Sequence, residues 1–267
     1  MENDILQELQ TYDVLGIPIS VVTPEIVAEK IKKWSKDKVG RFICVRDVPS
    51  LMAMIEKPEL VDLHQEAAMI TPDGMPLALI GKLKGLPVER TSGADFMDLV
   101  CRQSPKSGLK HYFYGGKEGI AKKLTEILQE KYPNIKIVGY ECPPFRPMTL
   151  KEDKAAIERI KTSGADVVWV GISSPKQDVW MRDHYKLLPQ TLIGVGAAFD
   201  FHTGAVKRAP KWMQKSGLEW LHRLISEPKR LWRRYLILAP RFIFLVCKEY
   251  FSSFLKNRVT RKSKIGD

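Results

Sequence analysis

One carboxylate in this sequence stands where it could act as a general base. Asp73 follows the apolar segment Met69-Ile70-Thr71 and lies between Pro72 and Gly74. If that segment is a strand, its end would hold the carboxylate at the mouth of a sheet, within reach of a substrate hydroxyl. The alternative interpretation is a helix cap or an Asx turn, which the Pro-Asp-Gly order also favours.

A polar loop follows a nearly all-apolar segment further along the chain. Residues 165–171 have the composition of a buried parallel strand, and Ser174, Lys176 and Gln177 come shortly after it. Small residues, a cation and an amide at the end of a strand suit the recognition of a sugar or a phosphate. The alternative is a polar connection into a helix that binds no ligand.

Two glycine pairs mark further strand ends. Gly115 and Gly116 close a short apolar segment and precede a predicted helix, an arrangement that can direct backbone N–H groups at a phosphate. Gly194 and Gly196 indicate a close approach of the backbone to a ligand, and Asp200 follows them. A plain turn is the alternative for the first pair, and close helix–strand packing is the alternative for the second.

The elements that must position these residues alternate between strands and helices. Apolar segments predict strands at 13–20, 41–45, 69–71, 110–114, 135–140, 165–171 and 191–196. Helices are predicted between them at 24–34, 49–55, 58–68, 119–131, 150–163 and 178–188. This alternation predicts an α/β fold of the Rossmann-like type, a mostly parallel sheet with helices on both faces. Because such sheets bind ligands at the carboxyl ends of their strands, we expect the candidate residues to gather at one edge.

The positive charge of the chain is concentrated at its C-terminal end. Residues 207–267 hold 16 Lys or Arg and four Asp or Glu, whereas residues 1–206 hold 27 of each sign. Hydrophobic residues make up 44% and charged residues 28% of the chain, which excludes a disordered or collagen-like protein. We therefore predict an α/β core at 1–206 and a basic appendage at 207–267. Such an appendage predicts an acidic partner: phosphates, nucleic acid or an anionic membrane.

The pattern of the appendage predicts an amphipathic helical structure. Arg223, Arg230, Arg234 and Arg241 are spaced by seven, four and seven residues, so a continuous helix would place them on one face. Arg241 also separates two short apolar stretches, and Pro240 is expected to interrupt the helix there. This pattern suits a helix that lies in a membrane interface better than one that spans the bilayer.

Cysteine, histidine and acidic residues show no pattern of a metal site. The four cysteines, Cys44, Cys101, Cys142 and Cys247, form no Cys-x-x-Cys pair and are expected to be free thiols in a reducing compartment. The chain has no Asp-x-Asp pair that could hold a divalent metal. Charge neutralisation by Arg and Lys is expected instead, and neither a metal nor a cofactor is predicted.

Several short motifs occur together in a fixed order. They are Pro72-Asp73-Gly74-Met75-Pro76, Gly93-Ala94-Asp95, Gly115-Gly116, Gly171-Ile172-Ser173-Ser174-Pro175-Lys176-Gln177-Asp178, Gly194-Val195-Gly196-Ala197-Ala198-Phe199-Asp200, Lys207-Arg208-Ala209-Pro210, Gly217-Leu218-Glu219-Trp220, Arg223, Glu227-Pro228 and Arg233-Arg234-Tyr235. Each motif is unspecific alone, but jointly they resemble the WecG/TagA/CpsF glycosyltransferases over roughly 13–240.

The resemblance implies an inverting, metal-independent glycosyltransferase of bacterial envelope or exopolysaccharide biosynthesis. Enzymes of this family take a sugar from a UDP-sugar and place it on a polyprenyl-diphosphate-linked saccharide. The resemblance implies a peripheral protein at the cytoplasmic face of the inner membrane. It also implies that the appendage approaches an anionic membrane surface and supplies arginines to the active site.

By position, the resemblance assigns roles to individual residues. The family's proposed base falls on Asp73, its Gln near the sugar on Gln177, and the Arg before its Gly-x-Asp motif on Arg90. The family's Thr-x-Asn corresponds to Val45-Arg46-Asp47, so Asp47 would keep part of that role, and the donor sugar stays open between glucose and N-acetylmannosamine. The leaving UDP would be stabilised by arginines near or in the appendage: Arg208, Arg230, Arg233 or Arg234.

Two other functions stay open at this point. The basic appendage could bind nucleic acid, but its cations alternate with Leu, Ile and Phe and form no recognised reading motif, so nucleic acid is not the expected partner. The chain could also be a non-catalytic membrane adaptor on a Rossmann-like core, which would tolerate Asp73→Asn. Formation of a homo-oligomer is left open.

Overall fold

A computed structural model describes residues 9–263, with side chains at all of these positions except 58, 215, 230 and 253–263. The strands in this part of the chain are β1 Thr11–Val14, β2 Ile17–Ser20, β3 Arg41–Arg46, β4 Met69–Pro72, β5 Lys110–Gly115, β6 Lys136–Glu141, β7 Val167–Gly171 and β8 Thr191–Gly194. The helices are α1 Pro24–Asp37, α2 Val48–Ile55, α3 Pro58–Glu66, α4 Met75–Leu83, α5 Gly93–Ser107, α6 Ile120–Lys131, α7 Leu150–Thr162, α8 Lys176–His184, α9 Ala198–His202, α10 Lys211–Lys215, α11 Glu219–Ser226, α12 Pro228–Leu236 and α13 Leu238–Ser263.

Six of these strands form one parallel sheet in the order β4-β3-β8-β7-β5-β6. Alternate residues of each strand feed two hydrophobic layers. In β5, Tyr112 and Tyr114 join one layer and Phe113 joins the other. The first layer packs against α2, α3, α4, α7 and α8, and the second against α1, α5, α6 and α9. The predicted Rossmann-like α/β fold, with helices on both faces, is confirmed.

The N-terminal segment differs from the prediction of a single strand at 13–20. β1 and β2 form an antiparallel hairpin instead. Leu15 and Gly16 turn the chain with φ angles of 55° and 85°, the backbone geometry that Asn-Gly usually provides in two-residue hairpins. The Gly16 N–H also donates to Asp13 Oδ1 at 3.1 Å. Leucine rarely adopts a positive φ, so Leu15 does not indicate a turn, and the sequence predicts one strand here.

Helices α4 and α5 occupy a region for which no element was predicted. Gly81 weakens the helix signal of α4 in the sequence. A Cβ at this position would lie 2.4 Å from Val88 Cγ1 and 2.9 Å from the Tyr12 ring, so the helix needs glycine there to pack. α5 begins at an ordinary cap, because the Ser92 hydroxyl accepts the Asp95 N–H at 3.4 Å. Both helices matter for the site, since they flank the segment that carries Arg90.

The appendage consists of several short helices and one long one, so the predicted common face of arginines is wrong. α11 ends at Ser226 and α12 ends at Leu236, and each break turns the chain. The three arginines whose side chains are described lie on different helices: Arg223 on α11, Arg234 on α12 and Arg241 on α13. Pro240 stands in the first turn of α13, where its missing N–H leaves no helical hydrogen bond unmade, and it does not interrupt a helix.

The appendage packs against the core through both apolar and charged contacts. Phe242 of α13 is buried in the layer that includes α2. Arg241 pairs with Glu56 at the end of α2. Leu231 and Tyr235 of α12 are also buried. No helix described here is both long and apolar enough to cross a membrane.

Candidate active site

The carboxyl edge of the sheet brings most of the predicted site residues together. Each lies at or just beyond the end of a strand: Asp47 after β3, Asp73 after β4, Gly115 and Gly116 at β5, Ser174, Lys176 and Gln177 after β7, and Gly194 and Gly196 at β8. This convergence follows from the parallel direction of the strands. α12 and the segment after α9 add Arg234 and Arg208 from the appendage side.

The backbone of Asp73 is fixed from two directions. Its N–H donates to the Arg46 carbonyl oxygen at 2.7 Å, and its own carbonyl oxygen accepts from Arg90 Nε at 2.6 Å. The carboxylate Oδ1 lies 3.6 Å from Arg90 Nη2, and a third of the side chain is exposed. The carboxylate is therefore held in place by its backbone while remaining open to a ligand.

Burial gives this carboxyl group a pKa suited to proton transfer. Loss of solvent around Asp73 raises its pKa to about 6, and the nearby Asp47 and Glu219 carboxylates act in the same direction. The Arg90 guanidinium opposes the rise only in part. A carboxyl with a pKa near neutrality can take up and release a proton during a reaction.

A chain of ion pairs links Asp73 to the appendage through Glu219 of α11. Arg90 Nη2 lies 2.6 Å from one Glu219 oxygen, and Arg208 Nε lies 3.0 Å from the other. Arg208 also forms two hydrogen bonds of 2.6 Å with Asp95. Burial opposes ionisation of Glu219, but the hydrogen bonds from Arg90 and Arg208 outweigh it and lower its pKa. Sequence reasoning did not assign Glu219 or Asp95 a role, although both lie in the quoted motifs.

A second bridge joins the core and the appendage at Asp47. Arg234 Nη2 lies 2.9 Å from Asp47 Oδ1 and 2.8 Å from Oδ2. Asp47 also caps α2, because its Oδ1 accepts the Ser50 N–H at 2.8 Å. Burial acts to raise the Asp47 pKa, yet Arg234 and Ser50 lower it, so Asp47 is ionised and the pair is charged.

A cleft of about 490 Å³ opens between α2, the loop after β7, and helices α12 and α13. Three arginines line it, Arg233, Arg234 and Arg241, together with Ser174 and the apolar side of α2. The Nε atoms of Arg234 and of Arg223 are buried and have no hydrogen-bond partner among the described residues. Within the cleft, Arg234 pairs with Asp47 and Arg241 with Glu56, so the exposed Arg233 is the guanidinium most available to an anionic ligand.

The side chain of Gln177 forms a hydrogen bond with the backbone just after β8. Its side chain is buried, and its Oε1 accepts the Gly196 N–H at 3.1 Å. A Cβ on Gly194 would lie 2.7 Å from Met181 Cε and 2.9 Å from Gln177 Nε2, so glycine lets these two side chains of α8 pack closely on the strand. These contacts support the packing alternative for Gly194 and Gly196.

The Gly115-Gly116 pair is also explained by packing and turn geometry. A Cβ on Gly115 would lie 2.6 Å from the Gly171 backbone, where β5 and β7 run side by side. The Gly116 N–H donates to the Gly171 carbonyl oxygen at 3.0 Å. In this structure that N–H is directed at protein, as the turn alternative predicts.

The remaining predicted site residues with described side chains lie on three helices, α8, α12 and α9. Lys176 is exposed and its Nζ lies 5.5 Å from the centre of the Phe145 ring. Arg233 is exposed beside Trp232, and Asp200 lies in α9, where its carbonyl oxygen accepts the Val206 N–H at 3.1 Å. The side chain of Arg230 is outside the described residues. In the described part of the chain, no three His, Cys, Asp or Glu side chains are grouped so that they could hold a metal ion.

Comparison with known proteins identifies the family. A model of the WecG/TagA/CpsF family of glycosyl transferases matches residues 12–255. The chain belongs to this family. Over 220 residues it is 30% identical to an N-acetylglucosaminyldiphosphoundecaprenol N-acetyl-beta-D-mannosaminyltransferase of Bacillus subtilis (strain 168), which covers 82% of this chain and 83% of the relative. The resemblance inferred from the motifs is thereby confirmed, and the protein is a glycosyltransferase.

Beneath the site, this glycosyltransferase has a buried ion pair that sequence reasoning did not single out. Arg46, at the end of β3, contacts Asp178 of α8 through Nη1 at 2.8 Å, and neither side chain has exposed surface. Arg46 Nε donates to His64 at 3.0 Å, and Ser174 donates to the other Asp178 oxygen. Because the Arg46 carbonyl oxygen also accepts the Asp73 N–H, this pair connects Asp73 to the loop after β7.

We expect the double variant Arg46→Met/Asp178→Leu to stay folded. Its sugar transfer should be about 10 to 100 times slower, because small shifts of the site residues above the pair misplace the reacting groups. Arg46 Nη2 has no hydrogen-bond partner in the described residues, and apolar replacement of an incompletely satisfied buried pair is often neutral for stability. Each single variant leaves one buried charge without its partner, so its free energy of unfolding should be lower by about 3–5 kcal/mol. Thermal unfolding and transfer kinetics check this, and wild-type kcat/KM in a folded double variant would contradict a positioning role.

Proposed function

We propose that this glycosyltransferase moves a sugar from a UDP-sugar to a polyprenyl-diphosphate-linked saccharide, with inversion and without a metal ion. The relative in Bacillus subtilis is named for transfer of N-acetylmannosamine to N-acetylglucosaminyldiphosphoundecaprenol. This name favours an N-acetylmannosamine donor over glucose for the present chain. The observation that carries the proposal is the Asp73 carboxylate, with a pKa near 6, next to Arg90 and near Asp47, which pairs with Arg234 of the appendage.

Asp73 would act as the general base. An acceptor hydroxyl has a high pKa and is a poor nucleophile, so a carboxylate within about 3 Å would take its proton while the bond to the anomeric carbon forms. Attack from the face opposite to the leaving UDP inverts the configuration at that carbon. The exposed third of the Asp73 side chain provides access for the acceptor.

Arginines would stabilise the leaving UDP in place of a metal ion. Arg233 and Arg234 line the cleft, and Arg233 is exposed there. Planar guanidinium groups bind diphosphate oxygens through two hydrogen bonds at once. Arg208 is already paired with Asp95 and Glu219, so its expected role in leaving-group binding would require it to leave one of them.

The pKa of Asp73 gives this mechanism a pH dependence. Only the ionised carboxylate can accept a proton, so kcat/KM is expected to rise about tenfold per pH unit below about 6 and to level off above it. Steady-state transfer assays over this range check the prediction. A profile that stays flat between about pH 5 and about pH 7 would contradict Asp73 as the base.

The division into a core at 1–206 and an appendage at 207–267 is part of the proposal. The appendage would approach the cytoplasmic face of the inner membrane as a peripheral element. Its exposed apolar side chains and its net positive charge support this placement, as Ile243, Phe244, Tyr250 and Phe251 of α13 illustrate. The bridges at Glu219 and Asp47 support a contribution of the same segment to the site.

A panel of UDP-sugars tests the proposal. The purified protein is mixed with each donor, a polyprenyl-diphosphate-linked N-acetylglucosamine acceptor and EDTA, and the product is analysed by NMR. One donor is expected to give a product with inverted anomeric configuration. A retained configuration would exclude the single-displacement mechanism, and a requirement for added metal would exclude charge neutralisation by arginines alone.

A further inference from the structure

Helix α4 carries an apolar stripe that remains largely exposed in the described residues. Met75, Leu79 and Leu83 are spaced by four residues and therefore share one face of the helix. They are 38%, 54% and 79% exposed, whereas Leu77 and Ala78 on the opposite side are buried in the core. Three large exposed apolar side chains in a row on a short helix indicate a contact surface.

The stripe begins beside the proposed base. Asp73 lies two residues before Met75, so the first turn of α4 and the carboxylate are fixed to each other. The turn between α10 and α11 packs on Met75, since a Cβ on Gly217 would lie 3.5 Å from Met75 Cγ. Exposure then increases along the helix away from Asp73. The stripe therefore extends along α4 from Asp73 over about 13 Å, the length of nine helical residues.

The chemistry of the proposed acceptor requires a lipid surface near Asp73. In such an acceptor, one sugar and one diphosphate separate the reacting hydroxyl from a polyprenyl chain that lies in the membrane. A bilayer must then approach the base closely whenever the hydroxyl meets it. A stripe of exposed apolar residues that starts two residues after Asp73 meets this requirement.

The charges around the stripe favour an anionic bilayer over a second copy of the chain. Lys82 and Lys84 flank Leu83 and both are exposed, and Lys84 Nζ also donates to the Asp13 carbonyl oxygen at 3.0 Å. Two copies packed through the same stripe would bring these like charges together. Apolar side chains in the acyl boundary with lysines at the headgroups are the usual arrangement of interfacial helices.

We propose that α4 lies in the surface of an anionic bilayer, with Met75, Leu79 and Leu83 in the acyl boundary, and thereby holds Asp73 at the level of the acceptor headgroup. This contact is separate from the one proposed for the appendage. It rests on the proposed function for the nature of the acceptor, but the bilayer contact itself is measurable without any donor or acceptor.

A polarity-sensitive dye on Leu83→Cys tests the contact directly. Cys142 and Cys247 are replaced by Ser, and Cys44 and Cys101 are buried and should not react. With vesicles of phosphatidylglycerol and phosphatidylcholine, we expect the emission to shift to the blue. The matched control is Leu187→Cys. Leu187 is 56% exposed and lies just before β8, at the amino edge of the sheet. The emission of a dye at this position should not change.

Two results would overturn this inference. The first is a protein that does not bind the vesicles, or that binds them with no change at position 83. The second is a blue shift that grows with protein concentration in the absence of vesicles, because it would assign the stripe to a second copy of the chain.

The variant Leu79→Glu/Leu83→Glu links the contact to activity. Its vesicle binding is expected to be weaker by about tenfold or more, because two leucines can no longer enter the acyl boundary. Transfer to a long-chain acceptor in vesicles should fall by a similar factor, whereas transfer to a short-chain acceptor in solution should be unchanged. The control Val39→Glu/Leu187→Glu, at the opposite edge, should behave like the wild type in both assays.

The two acceptors separate failure of this inference from failure of the proposed function. Wild-type rates of the stripe variant in vesicles would overturn the inference. An equal loss with both acceptors, in a variant that unfolds at the wild-type temperature, would also overturn it, because α4 would then act on the site itself. No transfer by the wild-type protein to either acceptor would count against the proposed function, and the dye measurement would still decide whether α4 meets the bilayer.

Discussion

Asp73→Asn is expected to lower kcat/KM for sugar transfer about 1,000-fold while the protein remains folded. Asparagine keeps the shape of the side chain but cannot accept the proton of the acceptor hydroxyl. The two short hydrogen bonds of Asp73 involve its backbone, to Arg46 and from Arg90, so they persist in the variant. The loss therefore falls on the chemical step, and kcat should fall more than KM changes.

The same substitution is expected to raise the thermal stability at neutral pH. The folded pKa of Asp73, about 6, lies above the ordinary value of 3.8, so the folded chain binds this proton more tightly than the unfolded chain. Ionisation of Asp73 consequently lowers stability as the pH rises from about 4 through about 6, and Asn removes this effect. The gain in Tm should therefore be larger at about pH 8 than at about pH 4.

Asp98→Asn is the matched control, because it removes a carboxylate that pairs with Lys131 on α6 and makes no contact with Asp73. It should transfer sugar at the wild-type rate. An Asp73→Asn protein that keeps more than about a tenth of the wild-type kcat/KM would show that another group takes the proton.

Deletion of residues 207–267 is expected to abolish measurable transfer and to leave a folded core. The deletion removes Glu219, which orients Arg90, and Arg234, which pairs with Asp47. Loss of one preorganised group that stabilises charge lowers kcat about 100- to 1,000-fold, so the loss of two should bring transfer below detection. Most residues of both hydrophobic layers lie before residue 207, so the sheet should keep its core.

Circular dichroism and a cooperative thermal transition check folding of the truncated chain, and acceptor-dependent UDP release checks activity. A shorter deletion of residues 253–267 is the control, since it leaves in place Arg208, Glu219, Arg234 and Arg241. It should retain transfer to a short-chain acceptor. Full activity of the chain that ends at residue 206 would refute a catalytic role for the appendage.

The strand ends could be predicted because local patterns determine them. The segments 41–45 and 165–171 are apolar and β-branched, and the structure has β3 and β7 there. Parallel strands then bring Asp47, Asp73 and Gln177 to one edge without further information. The same local reasoning failed where the backbone needs tertiary context, as at Leu15, whose positive φ is fixed by the hairpin.

The charge network could not be predicted, because its partners are far apart in the chain. Asp47 and Arg234 are separated by 187 residues, and Arg90 and Glu219 by 129. A single sequence shows the charges but not which pairs meet. The spacing of the appendage arginines was misleading for the same reason, since it assumed one continuous helix, whereas the chain breaks between α11, α12 and α13.

We propose that Asp73 and arginines on both sides of residue 206 transfer a sugar to a lipid-linked acceptor. Acceptor-dependent release of UDP from UDP-N-acetylmannosamine, measured in EDTA with wild-type and Asp73→Asn protein, tests it most directly. We expect the wild-type protein to release UDP only when the polyprenyl-diphosphate-linked N-acetylglucosamine is present, and we expect Asp73→Asn to lose this release. Equal release by the two proteins, or release that does not depend on the acceptor, would contradict it.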